Sequence, residues 1–243
     1  MGHEFTSQEE VQVDATPEQV WAAIATGPGM DSWFMGRNEV EPGQAVRSAF
    51  GGYTPSHEVS AWEPGSRLAY GGAPAPDGRF VAYEFLIEGR DRASTVLRMA
   101  TSGFLPGDDW ADEFDAMTKG NALFFHTLVA YLTHFAGRVA VPVTAFGPLV
   151  TDWPSTRARL VAAIGLADGH ARFAPAGLPP VDGVVYFQND DTLGIRTENA
   201  LYRFMRGFRG PVVASHHIFA DISPQPVELA WQSWLEHTFR DGE

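Results

Sequence analysis

The chain has 243 residues, of which 44% are hydrophobic and 19% charged, so it can form one large domain or two small ones with a packed core. Its 17 Lys and Arg against 30 Asp and Glu give a net charge of −13, which argues against nucleic acid or an anionic membrane as a partner. The lack of cysteine excludes disulfides and thiol nucleophiles and suits a reducing compartment.

The N-terminal segment predicts a strand followed by a capped helix. Val11 and Val13 share one face of a loosely alternating stretch. Thr16, Pro17 and Gln19 then have the spacing of a capping box with proline at the first helical position. The stretch TGPG is expected to stop this helix, and MDSWF after it to form a second short helix or a turn.

The following segment carries the signals of an antiparallel sheet with one buried face. Strands are predicted within 45–50, 57–71 and 93–103, separated by turn residues. The clearest alternation of period two lies in 78–89. Its apolar face, which we expect to be buried, consists of Val81, Tyr83, Phe85 and Ile87.

A long amphipathic helix is predicted next, because apolar residues from Trp110 to Phe135 recur at spacings of three, four and seven. Asp108 or Asp109 is expected to cap it, and Gly137 to end it. A glycine in a helix interior is costly, so Gly120 suggests a kink or the close approach of another element.

The remaining residues predict a second α+β unit. Pro142 makes 139–150 a linker or an edge strand, and 167–183 is rich in loop residues. The segment 200–207 fits a strand, but Thr197 and Gly207 could also cap a helix there. Two helices are predicted, over 155–166 and over 223–239, and Ser223 is the expected N-cap of the second. Strands are predicted over 184–188, 192–197 and 211–220.

Several short motifs of the first half occur in a fixed order: DATPEQVWAAI, SWFM, EPG, HEVSAWEPGSRLAY, STVLRMATSGF and DDWADEF. This series over residues 5–137 resembles the START-like helix-grip (SRPBCC) superfamily, and within it the homologues of the chaperone-ATPase activator. The resemblance implies an α+β fold in which a curved antiparallel sheet grips a long C-terminal helix and two short helices close one end. It also implies a cavity between sheet and helix that commonly takes a small apolar molecule.

Residues 1–138 are therefore predicted to form a helix-grip domain and 139–243 a second α+β unit, which could be a divergent or truncated copy. Asn121 departs from the family pattern, in which a tryptophan follows Gly120, and could line a cavity or face solvent. The family includes cyclases, dehydratases and chaperone regulators, so its fold implies no single activity.

If a cavity is present, the inward aromatic and apolar residues are the candidates to line it. The alternative for each of them is ordinary core packing. The ligand-binding candidates are Trp21, Trp33, Phe50, Tyr83, Phe85, Leu97, Met99, Phe124 and Leu128.

We find no motif that predicts a metal or cofactor. His216 and His217 are adjacent on a predicted strand and point to opposite faces, and His126 and His134 are about 12 Å apart along a helix, too far for one ion. Phosphate-binding loops, calcium loops and serine-nucleophile elbows are not found. The residues that could supply acid or base chemistry at a cavity mouth are Asp31, Arg37, Glu39, His57 and Arg98.

Three functions remain open: a non-catalytic protein that binds a small apolar or aromatic ligand, which the lack of a catalytic constellation favours; a cyclase- or dehydratase-like enzyme; and a module that regulates a chaperone. The catalytic residues of an enzyme are not identified. The residues predict no signal peptide or membrane span, a cytoplasmic location, and either a homodimer or an internal pseudo-dimer.

Overall fold

The computed structural model describes residues 2–90, 94–107, 110–207 and 210–240. The chain forms two compact units, the first ending at Val139 and the second beginning at Ala140. Each is an antiparallel sheet with a long C-terminal helix, so the predicted α+β, helix-grip-like fold class is confirmed. Among the described residues, no helix is both long and apolar enough to cross a bilayer.

The first unit contains a seven-stranded sheet in the order β1-β7-β6-β5-β4-β3-β2. The strands β2 to β7 form one continuous antiparallel meander, and the first strand pairs with the last, so the edges of the sheet are β1 and β2. Its strands are β1 (His3–Val13), β2 (Arg37–Glu41), β3 (Ala45–Ala49), β4 (Ser56–Glu63), β5 (Arg67–Gly71), β6 (Phe80–Arg90) and β7 (Ser94–Leu105).

Two short helices follow β1, and the first begins as predicted. Helix α1 (Pro17–Ala25) carries the full capping box: the Gln19 N–H donates to Thr16 Oγ1, and the Thr16 N–H donates to Gln19 Oε1. Helix α1 stops where predicted, but the second short helix, expected in MDSWF, starts earlier, within TGPG. Helix α2 (Gly27–Met30) begins inside it, because Thr26 ends α1 and its Oγ1 accepts from the Gly29 N–H, while proline suits an early helical position.

Helix α3 (Trp110–His134) is the long helix, and it contacts chiefly β1, β7 and α1. The expected caps, Asp108 and Asp109, lie outside the described residues. Gly137 has the positive φ of 82° that favours glycine after a helix. The close approach expected at Gly120 was wrong, since a Cβ there would meet no atom within 4 Å.

The second unit contains a six-stranded sheet in the order β8-β13-β12-β11-β10-β9. It repeats the order of the first unit, with its first strand beside its last, but over its described residues it has no counterpart of α2 and one strand fewer. Its elements are β8 (Val141–Leu149), α4 (Trp153–Ala163), β9 (His170–Phe173), β10 (Val181–Gln188), β11 (Thr192–Arg196), β12 (Ala200–Arg206), β13 (Pro211–Ile218) and α5 (Pro224–Phe239).

Several expectations for this unit can be judged. Pro142 lies on an edge strand, β8, which is one of the two alternatives expected for this segment. The ambiguous segment is the strand β12, and β9 is a strand within a stretch expected to be loop. Ser223 is the N-cap of α5 but makes no side-chain cap hydrogen bond.

Aromatic side chains fill the space between this second sheet and α5. Trp231 is buried and its ring centroid lies 4.3 Å from that of His216 and 5.8 Å from that of Phe204. Tyr202 packs on both Trp231 and His216, at 5.7 and 5.0 Å. This part of the second unit is therefore a packed aromatic core.

Candidate functional site

The inner face of the first sheet, which faces α3, carries a row of polar aromatic side chains. Tyr70 on β5 and Tyr83 on β6 are cross-strand partners with ring centroids 5.5 Å apart. His57 on β4 lies 5.8 Å from Tyr70 and 6.2 Å from Tyr83. Thr101 on β7, the next partner of Tyr83, continues the row. Four neighbouring strands thus place hydroxyl and imidazole groups side by side on a face that is otherwise mostly apolar.

Helix α3 faces this sheet with a side that includes one buried amide. Asn121 is three residues before Phe124 and seven before Leu128, so these side chains share a helix face. The same face reaches the sheet through Phe114, whose ring lies 5.3 Å from Phe5 of β1. Asn121 is only 8% exposed, so the alternative that it faces solvent was wrong.

Three polar atoms on these elements are buried and have no hydrogen-bond partner among the described residues: His57 Nδ1, Thr118 Oγ1 and Asn121 Nδ2. A buried polar group without a partner costs about 1–3 kcal/mol, and most buried polar atoms in folded proteins have one. These three atoms could therefore form hydrogen bonds with a bound molecule.

One half of the inner face is closed. Trp33 is fully buried, its Nε1 donates to the Ala23 carbonyl at 2.9 Å, and its ring lies 6.2 Å from that of Phe85. We call this buried set the closed half. Its members among the predicted cavity residues are Trp33, Phe85, Leu97, Met99 and Leu128, all at most 3% exposed.

The other half of the inner face is only half-buried. Phe50, Tyr83 and Phe124 belong to it, together with His57 and with Phe114 and Met117 near the start of α3. Phe34 lies between the two halves, with its ring 5.0 Å from Phe124 and 6.4 Å from Tyr83. We call the half-buried residues, without Phe34, the open half. Trp21, the remaining predicted residue, is half-buried elsewhere, edge-on to Trp62 at 5.1 Å.

Burial sets the protonation states of His57, Tyr83 and Tyr70. It lowers the pKa of His57 below its ordinary value of 6.5, so the imidazole is neutral at pH 7. It raises the pKa of Tyr83 to about 12, with a smaller contribution from nearby Tyr53, and raises that of Tyr70 further. These three side chains therefore offer neutral donors and acceptors rather than charges.

The other candidates for acid–base chemistry lie elsewhere. Asp31 Oδ1 accepts from the backbone N–H and the side-chain amide of Asn38, at 2.6 and 3.1 Å, which ties α2 to β2, although burial raises its pKa. Arg37 and Glu39 are exposed on β2. Arg98 pairs with Glu10 and Glu88 on the outer face of the sheet. Of the five, only His57 lies in the row with Tyr70 and Tyr83.

Gly72 was missed by the reading of the sequence. It follows β5 and donates its N–H to the Val81 carbonyl at 3.1 Å. A Cβ on Gly72 would lie 3.6 Å from His57 Nδ1, so the missing side chain leaves room on the inner face beside the imidazole. Only the pairing of β4 with β5 brings these two residues together.

A separate concavity of about 310 Å³ lies on the outer face of the same sheet. Charged residues of three strands line it, including Glu10, Glu84 and Arg98. Glu84 is paired with Arg67 at 2.8 Å and Arg98 with Glu10, so the charges there are largely satisfied by each other. It therefore differs from the half-buried aromatic face expected to take an apolar ligand.

Within the described ranges, no group of three or more His, Asp or Glu side chains is placed to hold a metal ion. His216 and His217 are adjacent on β13, so their side chains point to opposite faces of the sheet, and both are fully buried. His216 Nδ1 accepts from the Arg203 N–H at 3.1 Å.

Comparison with known proteins gives similarity to solved structures alone. No family model and no curated protein matches the chain. Protein MLL2253 from Mesorhizobium loti is 27% identical over 53% of this chain and 96% of its own, with a TM-score of 0.46. The Aha1 dimer from Colwellia psychrerythraea is 19% identical over 53% and 96%, with a TM-score of 0.43. DynU16, a protein in the dynemicin biosynthetic locus, is 19% identical over 96% and 95%, with a TM-score of 0.44.

Proposed function

We propose that the first unit binds a small, uncharged, largely apolar molecule with an aromatic ring on the open half of its inner face. The observation that carries this proposal is the change along one face from fully buried apolar side chains to half-buried aromatic ones, with buried polar atoms that lack partners. Mostly apolar walls with a few convergent polar groups are typical of small-molecule sites. The predicted residues Phe50, Tyr83 and Phe124 are the proposed contacts, and Trp33, Phe85, Leu97, Met99 and Leu128 form the wall behind them.

The charge of the chain favours an uncharged ligand. The net charge of −13 repels anions at low ionic strength. Within the open half, His57 and Tyr83 are neutral at pH 7, so these two side chains would not offset the desolvation of an ion.

Gly72→Leu is expected to weaken binding of the uncharged fluorescent probe N-phenyl-1-naphthylamine at least about tenfold, because the new side chain occupies the space beside His57. The measurement is a fluorescence titration of wild-type and variant protein. Gly52→Leu is the matched control, since a Cβ at that exposed position meets no atom within 4 Å. Equal affinity of both variants, or no saturable binding by the wild type, would contradict the proposal.

Acid–base catalysis at the same face is a second candidate, and His57 favours it. Its imidazole is neutral at pH 7, and its Nδ1 has no partner among the described residues. The hydroxyl-bearing rings of Tyr70 and Tyr83 lie beside it. A neutral imidazole next to hydroxyl groups has the components that a cyclase or dehydratase needs for proton transfer.

His57→Gln is expected to reduce any wild-type acceleration of 5-nitrobenzisoxazole ring opening by about 100-fold. In this probe reaction a base removes one proton from carbon while the N–O bond breaks, and the phenolate product is measured by its absorbance. His170→Gln, at an exposed position of the second unit, is the control. A rate at the level of the buffer in the wild type would argue for binding without catalysis.

Regulation of a chaperone, which the resemblance to homologues of the chaperone-ATPase activator implies, has less support. Such a module should present a contiguous exposed apolar patch. Among the described residues, the large exposed apolar side chains Phe146 and Leu149 share β8, whereas Tyr53, Leu86 and Leu229 come from three other parts of the chain. Single exposed apolar residues of this kind are normal on protein surfaces.

A further inference from the structure

Asn121 is the amide among the buried polar groups of the inner face that lack a partner among the described residues, and the buried atom is its nitrogen. Its Nδ2 can only donate, whereas a hydroxyl such as that of Thr118 can donate or accept, and a neutral imidazole such as that of His57 can present either character at Nδ1. The side chain is 8% exposed, and Nδ2 has no partner among the described residues.

The position of Asn121 on α3 places its side chain at the border of the open half. It shares a helix face with Phe124, whose ring contacts Phe34, and Phe34 in turn contacts Tyr83. It lies one turn after Met117, which is half-buried, and two turns before the fully buried Leu128. Asn121 thus occurs where the helix face passes from half-buried to fully buried.

A leucine, whose side chain has the same number and branching of non-hydrogen atoms, would occupy this position without an unpaired donor, so hydrophobic packing does not account for an amide there. We infer that Asn121 is a specificity-determining residue: its Nδ2 donates a hydrogen bond to an acceptor oxygen of the carbonyl type on the bound molecule. This inference rests on the proposed function and narrows the ligand to a flat apolar molecule with a carbonyl acceptor.

A pair of probes of equal shape tests the inference. 2-Acetylnaphthalene carries a carbonyl oxygen, and 2-ethylnaphthalene has a methylene group in its place. Displacement of N-phenyl-1-naphthylamine from the wild type is expected to show about 3- to 10-fold tighter binding of the acetyl compound than of the ethyl compound.

Two substitutions assign any preference to Asn121. Asn121→Leu removes the donor at similar volume and is expected to abolish the preference for the acetyl compound while keeping the affinity for the ethyl compound. Asn121→Asp replaces the donor by an acceptor in nearly the same shape and should also lose the preference, which keeps the test informative if the leucine variant does not fold. Circular dichroism of each variant establishes that it is folded.

The outcomes separate this inference from the proposal on which it rests. Equal displacement by both compounds in the wild type, or a preference that persists in Asn121→Leu and Asn121→Asp, overturns the role of Asn121 and leaves the proposed binding face intact. Failure of the wild type to bind the fluorescent probe or either compound overturns both.

Discussion

Trp33→Ala is expected to lower the free energy of unfolding of the first unit by about 3–5 kcal/mol. The side chain is fully buried, its ring packs against Phe34 and Phe85, and its Nε1 donates to the Ala23 carbonyl. Truncation would remove this packing, leave a cavity and orphan one acceptor, which adds the cost of a lost hydrogen bond. Urea denaturation with hydrogen exchange of peptides from each unit measures the change, and the peptides of the second unit serve as an internal reference.

Trp21→Ala is the matched control, because the same substitution is made in a tryptophan of the same candidate set. Trp21 is half-buried and packs edge-on against Trp62, so its loss should cost about 1 kcal/mol. Equal losses in the two variants would contradict the division of the predicted set into buried wall and peripheral residues.

The wild-type protein is expected to lose about 2 kcal/mol of stability through His216 as the pH falls from 6.5 to 5. Burial, with a smaller contribution from Arg203, lowers the pKa of His216 well below its ordinary value of 6.5. The unfolded chain therefore binds a proton at a pH where the folded chain does not. The contribution of His216 is complete above pH 6.5 and is lost as the pH falls toward the folded pKa.

Denaturation curves at several pH values check this expectation. His216→Gln retains an acceptor for the Arg203 N–H and should flatten the pH dependence of stability between pH 6.5 and 5 relative to the wild type. The pKa values of His57 and His126 are also lowered, so some dependence should remain. His170→Gln, at an exposed position, should leave the wild-type curve unchanged. A curve for His216→Gln parallel to that of the wild type would show that the buried imidazole does not cause the loss.

The second unit differs from the first in the space between its sheet and its long helix. Its first strand lies beside its last and it ends in a long helix, like the first unit, yet aromatic rings occupy the space between its sheet and α5. We therefore propose that any ligand site lies in the first unit. Substitutions in the second aromatic core should alter stability without changing the preference for probes.

The sequence by itself determined the local features of the chain. The capping box at Thr16, the alternation around Tyr83 and Phe85, and the long helix ending before Gly137 depend on neighbours within a few residues, whose preferences are readable from spacing. The antiparallel fold class followed from their order. Helix α2 was misplaced because Thr26 both ends one helix and caps the next, which no periodicity reveals.

Only the tertiary structure decided which inward residues are fully buried in the closed half and which lie half-buried in the open half. Trp33 and Phe124 carry the same aromatic signal in the sequence, but one is enclosed by α1 and β6 and the other lies at the half-buried part of α3. The same holds for His57, which acquires Tyr70, Tyr83 and the space at Gly72 as neighbours only through the pairing of β4, β5 and β6. Burial and unpaired polar atoms result from contacts between residues distant in the chain, and local spacing carries no record of those contacts.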